Sequence, residues 1–361
     1  MFFWMFLDLF VFFLLCISQV SKEYISKICC YITVVILFLL TVFRYETVTY
    51  TMNYIEFFYF QYFDIDNIYM EYTFEMIVEL LKMGGFSSQI LFVVYGIPTY
   101  LFFWKGIRYY LDTYRNTMLG LFFFSVSLWG GFWQTMNTMR AMLAIMIIFY
   151  GSRYLVENIK WKYCLFLCLA ILFHYSAVIC VILLIFPYLK INKYMLLLGV
   201  IISFVLMKCG VAELPYALSM YGIEVTRGTS KIGVASGLGI SFMLIICEVM
   251  LCVYFSDYKN RKNNFMIFMV MLGVYTRIAL FNNVILSGRI SELFSGGFPV
   301  VQAYAMNLLS TDEKIRKVFV LLTSLILIYA HLNASYEPLL IEKGPMADPY
   351  QYDYRIEIFE E

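Results

Sequence analysis

Residues 163–187 read YCLFLCLAILFHYSAVICVILLIFP, a run without a single Asp, Glu, Lys or Arg. A helix that crosses a bilayer needs about 20 predominantly apolar residues. The run is therefore long enough to lie inside a membrane. Its most polar side chain, His174, stands close to the middle, where a lipid-exposed helix would not place it.

The rest of the chain shares this apolar character. Of its 361 residues, 62% are hydrophobic and 14% are charged, whereas about a quarter of the residues in a soluble domain are charged. So much apolar surface needs an apolar solvent, and we predict an all-α, polytopic integral membrane helix bundle of about 11–12 spans. We expect a single transmembrane domain over 1–361. The other candidate spans are 2–20, 28–43, 88–104, 117–135, 139–156, 194–209, 237–255, 265–282, 294–310 and 317–333.

Charge and residue counts bear on several classes of function. The formal net charge is +1, so the sequence lacks the overall basic field that is typical of nucleic-acid binding. Nine cysteines occur without a CxxC motif, and the chain has two histidines. We therefore predict neither a metal site nor a cofactor.

The Lys and Arg residues in short connectors predict the orientation of the bundle. If these connectors are cytoplasmic, the loops 44–87, 210–236 and 283–293 and the acidic tail 334–361 face outward. Within the first loop, the spacing of apolar residues over 71–82 predicts an amphipathic helix on the outer membrane surface. The basic connectors contain Lys22/Lys27, Lys105/Arg108/Arg115, Arg153/Lys160/Lys162, Lys190/Lys193, Lys259/Arg261/Lys262 and Lys314/Arg316/Lys317.

Both flanks of 163–187 are basic, which a single crossing does not allow if both flanks are cytoplasmic. A helical hairpin that turns at 174–176 removes the conflict, with arms 163–173 and 175–187 of only about 16–20 Å each. Broken helices at membrane depth occur where they are buried in protein or line a water-filled cavity. The alternative is one tilted helix with its C-terminal flank outside the cell, and the sequence alone leaves both open.

Charged side chains inside or at the edge of a membrane persist when they are paired or functional. Arg140 begins the span 139–156 at an outward helix N-terminus, where a guanidinium and backbone N–H groups can bind a phosphate. Arg289, in the outer loop 283–293, is a second candidate of the same kind. The alternative for both is an arginine whose charged head reaches interfacial water.

Three further cations have a structural and a functional interpretation. Arg277 is predicted to pair with Glu248 on the preceding span as a structural ion pair. Arg227 and Lys231 make the outer loop 210–236 basic, which is typical of an anion gate or of a solvated loop.

His174 is the candidate for proton transfer. Histidine is the side chain that exchanges a proton most readily near neutral pH, so it is suited to activate a substrate hydroxyl. The alternative is a packed histidine that bonds to a backbone carbonyl at a helix break.

Four stretches of the sequence share a pattern with one protein family. They read N-T-M-R-A-M-L-A at 137–144, F-H-Y-S-A at 173–177, T-Y-T-M-N-Y at 49–54 after Arg44, and G-R-I-S-E-L-F at 288–294. In these motifs and in their order the chain resembles the EpsG-type branch of the Wzy polysaccharide polymerases. The first large outer loop departs from the family, because Tyr50 stands where an Asp is usual. Asp64 and Asp66 are candidates to replace that acid.

The resemblance implies a fold like that of the GT-C glycosyltransferases and a metal-independent polymerase of O-antigen or capsule repeat units. The substrate would be a glycan on undecaprenyl diphosphate at the outer face of the bacterial cytoplasmic membrane, with a chain-length regulator as a candidate partner. Arg140 and Arg289 would hold the diphosphate and stabilise the departing charge. His174 would activate or orient the acceptor hydroxyl. Further substrate-binding candidates are Asn137, Arg44, Arg227, Lys231, Arg277 and Tyr175.

Three other functions fit a membrane protein of this composition. A ligase that moves finished polymer to another acceptor would use the same chemistry. A flippase for lipid-linked oligosaccharides would need deep charges in several spans, of which few are seen. A membrane O-acyltransferase is expected to carry a histidine and arginines early in the chain, whereas 1–43 contains neither.

Overall fold

The computed structural model describes residues 2–44, 49–60, 71–213 except 128 and 130, 240–308 except 255 and 257, and six positions between 318 and 329. Four predictions therefore lie outside the described residues: Arg227 and Lys231 in the second outer loop, the candidate acids Asp64 and Asp66, most of the span 317–333, and the acidic tail 334–361.

The described residues form an all-α helix bundle, as predicted. Its helices are α1 Phe2–Val20, α2 Glu23–Val42, α3 Thr49–Phe60, α4 Tyr72–Met83, α5 Ser88–Tyr110, α6 Tyr114–Val126, α7 Phe132–Asn137, α8 Met139–Gly151, α9 Arg153–Val156, α10 Lys160–Phe173, α11 Lys193–Lys208, α12 Ile240–Tyr254, α13 Arg261–Ala279, α14 Val284–Glu292 and α15 Phe298–Leu308. The 3-10 helices are Tyr175–Tyr188, Val211–Glu213 and Ser295–Gly297.

Three stretches of helix in the described residues are long and apolar enough to cross a membrane: Glu23–Val42, Ser88–Tyr110 and Met139–Val156. Met5–Val20, Tyr175–Tyr188 and Ile245–Tyr254 are shorter apolar helices. These segments support the membrane fold class, while the number of 11–12 crossings stays a prediction.

The centre of the bundle is the packing of α5 against α8. A Cβ atom at Gly106 of α5 would lie 2.5 Å from the ring of Phe149 on α8, so the two helices approach closely because this residue has no side chain. Phe149 also stacks on Tyr110, with ring centroids 5.5 Å apart. One turn away, Phe103 stacks on Phe124 of α6 at 4.1 Å.

The predicted span 117–135 is wrong as one helix. Helix α6 ends at Val126, and α7 begins at Phe132. Ser127 closes a tight turn, because its hydroxyl donates to the Trp129 carbonyl at 2.7 Å and accepts from the Trp129 N–H at 3.2 Å. Gly131 then passes so close to the end of α6 that a Cβ atom would lie 2.6 Å from the Ser127 carbonyl oxygen. The break sets α7 apart as a short helix directly before α8.

The hairpin in 163–187 is confirmed, and the single tilted helix is wrong. Helix α10 ends at Phe173, His174 is extended with φ −158° and ψ 108°, and the following 3-10 helix runs back along α10. The Tyr163 hydroxyl of α10 donates to the Cys180 carbonyl at 2.7 Å, which fixes the antiparallel pairing. We call Phe173, His174 and Tyr175 the hairpin tip.

One expectation about this hairpin is wrong. Each arm has 14 residues, but a 3-10 helix rises about 2.0 Å per residue, so Tyr175–Tyr188 is about 28 Å long instead of the predicted 16–20 Å. The α-helical arm Lys160–Phe173 is about 21 Å long. The α-helical arm sets the distance of the tip from Lys160, and the longer 3-10 arm returns to the same end, where Lys160 contacts Tyr188.

Basic connectors meet at one end of the bundle. Arg115 donates to the Ser21 carbonyl at 2.6 Å, and Lys262 lies 3.0 Å from Asp112, which joins three of the connectors. Lys160 donates to the hydroxyl of Tyr188, so the two flanks of the hairpin also share one end. This arrangement is what the positive-inside rule predicts for a cytoplasmic face. The hairpin tip lies at the other end of its two arms.

Two segments that we predicted to face outward contain more helix than the sequence indicated. The amphipathic helix predicted over 71–82 is confirmed as α4, which buries Phe74, Val78 and Leu81. Its other face exposes Met76 and Leu80, and its position on the outer membrane surface stays a prediction. Segment 44–87 also contains α3, and segment 283–293 is mostly helix α14 where we expected a loop.

The hairpin predicts where reagents reach the chain. In a cysteine-free variant, Asn192→Cys should resist a membrane-impermeant maleimide added outside the cell, because Asn192 follows the returning arm. Glu75→Cys, on the exposed face of α4, should react and serves as the matched control. Labelling of position 192 from outside would contradict the proposed topology.

Candidate functional site

The first turn of α4 is attached to the hairpin tip. The backbone N–H of Tyr72 donates to the Tyr175 hydroxyl at 3.2 Å, and the Thr73 hydroxyl donates to the Leu172 carbonyl. These two bonds hold the N-terminus of α4 against the tip. The residue before α4, Glu71, is thereby placed beside His174.

Glu71 joins two predicted site residues. Its Oε1 lies 2.8 Å from His174 Nδ1, and its Oε2 accepts a hydrogen bond from Arg140 Nη1. An ionised carboxylate only accepts hydrogen bonds, so Nδ1 must carry the proton in this contact. The other ring nitrogen, Nε2, is then the proton acceptor of a neutral His174.

Glu71 is ionised at neutral pH. Its side chain is only 6% exposed, and burial by itself would raise its pKa. The hydrogen bond from His174 and the positive charge of Arg140 outweigh burial, so the pKa of Glu71 lies below its ordinary value. A buried charge of this kind needs its partners, because an unpaired one is strongly unfavourable.

Aromatic side chains surround Arg140. Its guanidinium lies 5.0 Å from the ring centroid of Phe74 and 5.8 Å from that of Tyr54, within the range of cation–π contacts. Tyr54 belongs to the stretch T-Y-T-M-N-Y, and Phe74 packs on Tyr54 and on Tyr95. The structure therefore brings three separate motifs, 49–54, 137–144 and 173–177, to one place.

A second carboxylate, Glu292 of α14, lies near the first. Gln134 of α7, Arg277, Arg289 and His174 lie close enough to it to favour its charged form. Burial is the largest influence and raises the pKa of Glu292, although the other four groups favour its charged form. The two glutamates thus differ in charge preference: Glu71 is held ionised, whereas Glu292 takes up a proton more readily than an ordinary carboxylic acid.

The predicted ion pair between Arg277 and Glu248 is wrong. Glu248 accepts a hydrogen bond from Gln302 Nε2 at 2.5 Å, while the acidic neighbour of Arg277 is Glu292. Helix α13 turns Arg277 towards α14, and the Ser287 hydroxyl of α14 donates to the Arg277 carbonyl at 3.0 Å.

The remaining candidates have different surroundings. Arg44 is fully buried, donates to the Thr135 carbonyl at 2.7 Å and stacks on Phe92 at 4.5 Å, so it supports α7. Asn137 ends α7 directly before the helix that carries Arg140. Tyr175 is exposed at the hairpin tip and there accepts the bond from α4.

Some polar atoms of this site have no hydrogen-bond partner in the part of the chain that the structure describes. They are Gln134 Oε1, Asn137 Oδ1 and Arg140 Nε, all of them buried. Buried polar atoms are normally paired, so these two acceptors and one donor are suited to the hydroxyl and phosphate groups of a ligand. Among the described residues, no group of three or more His, Cys, Asp or Glu side chains has the spacing of a metal site.

Sequence reasoning missed Glu71, Glu292, Gln134 and Tyr54. Glu71 was considered only as the first residue of the amphipathic helix predicted over 71–82, while Asp64 and Asp66 were the candidate acids of this loop. Glu292 lies within the quoted motif G-R-I-S-E-L-F, three residues after Arg289, and that spacing on a helix brings two side chains together. Gln134 was missed because it lay inside the predicted span 117–135, which the structure divides into two helices.

Comparison with known protein families gives one match for this arrangement of motifs. The model of the EpsG family matches residues 27–340, which include all four quoted stretches. No curated protein and no solved structure matches the chain.

Glu71→Gln should lower the stability of the fold at neutral pH by about 1–3 kcal/mol, the usual effect of removing a charged partner from a buried polar group. A lowered pKa means that Glu71 stabilises the native state above the ordinary carboxylate range, and that this stabilisation is lost as the pH falls through the lowered pKa. Thermal unfolding in detergent measures the difference. The difference in stability between the wild type and Glu71→Gln should be present at pH 7 and absent in strong acid.

The matched control for this measurement is Glu75→Gln, which removes an exposed carboxylate one turn further along α4. It should leave the unfolding temperature unchanged. Equal unfolding temperatures for the two variants at pH 7 would contradict the role assigned to Glu71.

Proposed function

We propose, from the premise that this chain belongs to the EpsG family, that it joins oligosaccharide repeat units carried on undecaprenyl diphosphate. Membership of the family indicates a polysaccharide polymerase. The specific carrier lipid, the glycosyl-transfer mechanism that uses no metal, and the outward-facing site in the bacterial cytoplasmic membrane are the finer parts of the proposal.

The observation that carries the proposal is the single carboxylate of Glu71 between His174 and Arg140. Because Glu71 accepts a hydrogen bond from the protonated Nδ1, His174 presents Nε2 as a base. In the proposed step the acceptor hydroxyl oxygen bonds to the anomeric carbon of the donor sugar. The bond from that carbon to the diphosphate oxygen breaks, the diphosphate leaves with the bonding electrons, and Nε2 takes the hydroxyl proton.

The diphosphate is best accommodated on the side of the site that holds Arg277 and Arg289. Arg140 is already paired with Glu71, so its charge is largely compensated there. Arg277 and Arg289 both lie within electrostatic range of the Glu292 carboxylate. Two cations beside one acid attract an anion more strongly than one cation beside one acid, and fixed cations stabilise the charge that develops on a leaving diphosphate.

This division of roles revises the expectation from sequence. Arg140 would act mainly by holding Glu71 and His174 in place and by offering Nε to the glycan. Arg289, which is exposed at the end of α14, and Arg277 would bind the diphosphate. Asn137 and Gln134 would bind sugar hydroxyls through their amide oxygens.

The proposed location follows from the distribution of charge. The basic connectors gather at one end of the bundle, which favours a cytoplasmic position for that end. The hairpin tip with His174 lies at the other end of its arms and would face outward, where lipid-linked repeat units of O-antigen or capsule are joined. The lipid-linked glycan, the bilayer and a chain-length regulator are the proposed partners.

His174→Asn and Arg140→Lys should each abolish polymer formation, because general-base catalysis contributes about 10²–10⁴-fold to a rate and lysine lacks the planar donors of arginine. The assay reconstitutes each variant in vesicles with a lipid-linked repeat unit and separates the products by size. Each variant must insert normally and must remain folded at the temperature of the assay, which its thermal unfolding curve shows.

The matched control is Arg153→Ala. Arg153 stacks on Tyr150 and Tyr154 at 4.1 and 4.4 Å, next to the basic connectors and away from the hairpin tip. Its loss should leave polymer length and yield unchanged. Full-length polymer from His174→Asn would overturn the proposed role of the histidine.

A further inference from the structure

The second carboxylate has a defined position in the fold. Glu292 is the last residue of α14, and Gly288 lies four residues earlier, so both occupy the same face of that helix. A Cβ atom at Gly288 would lie 2.9 Å from Nη1 of Arg277. The guanidinium of Arg277 therefore lies directly along the face of α14 that carries Glu292.

Groups from four elements face Glu292. Arg277 comes from α13, Arg289 from the last turn of α14 itself, Gln134 from α7 and His174 from the hairpin tip. Gln134 lies close enough to Glu292 to favour its charged form, and the Oε1 atom of Gln134 is buried without a partner in the described part of the chain. Glu292 thus lies between the cations Arg277 and Arg289 and the part of the site that contains the unpartnered acceptor of Gln134.

A diphosphate and an ionised Glu292 compete for the same two arginines, Arg277 and Arg289. Both are anions that seek the N–H groups of Arg277 and Arg289, and like charges at close range repel each other. A protonated Glu292 removes the repulsion and can donate a hydrogen bond to a phosphate oxygen. The charge of Glu292 therefore contributes to how strongly the two arginines attract an anion.

We infer that Glu292 is a positioning residue for Arg277 and Arg289. When the site is empty, its ionised carboxylate orients the two arginines. When a diphosphate binds, Glu292 takes up one proton and the arginines interact with the diphosphate instead. The inference rests on the proposed function, because it assigns the diphosphate of the lipid carrier to this cluster. It adds that binding of the donor is coupled to protonation of the protein at Glu292.

Burial of Glu292 supports this coupling, because it raises the pKa of the carboxyl group. The sign of the pH dependence follows directly. The protonated form prevails below this raised pKa and binds the anion well, so affinity should fall as the pH rises through it. The wild type and a Glu292 variant share every other titratable group, so the effect of Glu292 is the difference in pH dependence between these two proteins.

The experiment measures binding of farnesyl diphosphate, a short polyprenyl diphosphate, to the purified full chain in detergent between pH 6 and pH 8.5. The wild-type affinity should fall with rising pH more steeply than that of Glu292→Gln, which mimics the protonated acid. At pH 8.5 the variant should bind roughly tenfold more tightly, within the usual range of coupling between two sites. Farnesol, which lacks the diphosphate, should bind equally to both proteins.

Two further variants keep the inference open to disproof. Glu248→Gln is the matched control, because Glu248 is also a buried glutamate and accepts a hydrogen bond from a glutamine side chain. This variant should retain the wild-type pH dependence of binding. Gly288→Ala places a methyl group against Nη1 of Arg277, and it should weaken farnesyl diphosphate binding at every pH.

Equal pH dependence in the wild type and Glu292→Gln, or no binding of farnesyl diphosphate to the wild type, would overturn the inference. A purely structural role for Glu292 would lower the unfolding temperature of the variant without changing the pH dependence of binding. The experiment measures binding and not polymer formation, so failure of the inference is distinguishable from failure of the proposed function. A chain that binds farnesyl diphosphate as expected yet makes no polymer would contradict only the proposed function.

Discussion

The ion pair and hydrogen bond of Glu71 are the interactions on which the rest of the site depends. Glu71 is nearly buried, and a charge in that position is tolerated because Arg140 and His174 both compensate it. These two partners come from a membrane-spanning helix and from the tip of a broken hairpin. One carboxylate therefore fixes three elements relative to each other, and each of them brings a different chemical group to the site.

Several irregular features of the fold bring these three elements together. The hairpin stops at His174 instead of crossing, which leaves a polar tip where a continuous helix would bury a histidine in lipid. The break between α6 and α7 places Gln134 and Asn137 next to α8, and Arg44 holds α7 there through the Thr135 carbonyl. Regular packing, such as that of Gly106 against Phe149, is kept for the centre of the bundle.

Much of this could be predicted from sequence, and the failures have physical reasons. Hydropathy predicted the fold class, because an apolar composition requires an apolar solvent. The basic flanks of 163–187 indicated a break at His174 as one of two open alternatives, because the positive-inside rule depends on where charges lie along the chain. The 3-10 form of the returning arm and the turn at Ser127 depend on local backbone contacts that hydropathy does not contain. Arg277 was paired with the wrong acid because the sequence does not tell which helices are neighbours in space. Glu71 was missed for the same reason, since its partners lie about 70 and 100 residues away along the chain.

The tautomer of His174 tests the central claim most directly. The chain has two histidines, so ¹⁵N NMR of a His331→Gln variant with labelled histidine reports on His174 alone. At about pH 8, where an ordinary histidine is neutral, the bond to Glu71 should keep the proton on Nδ1, and Glu71→Leu should move it towards Nε2. A proton on Nε2 in the protein that retains Glu71 would contradict the account, because His174 would then have no basic nitrogen to present to a substrate.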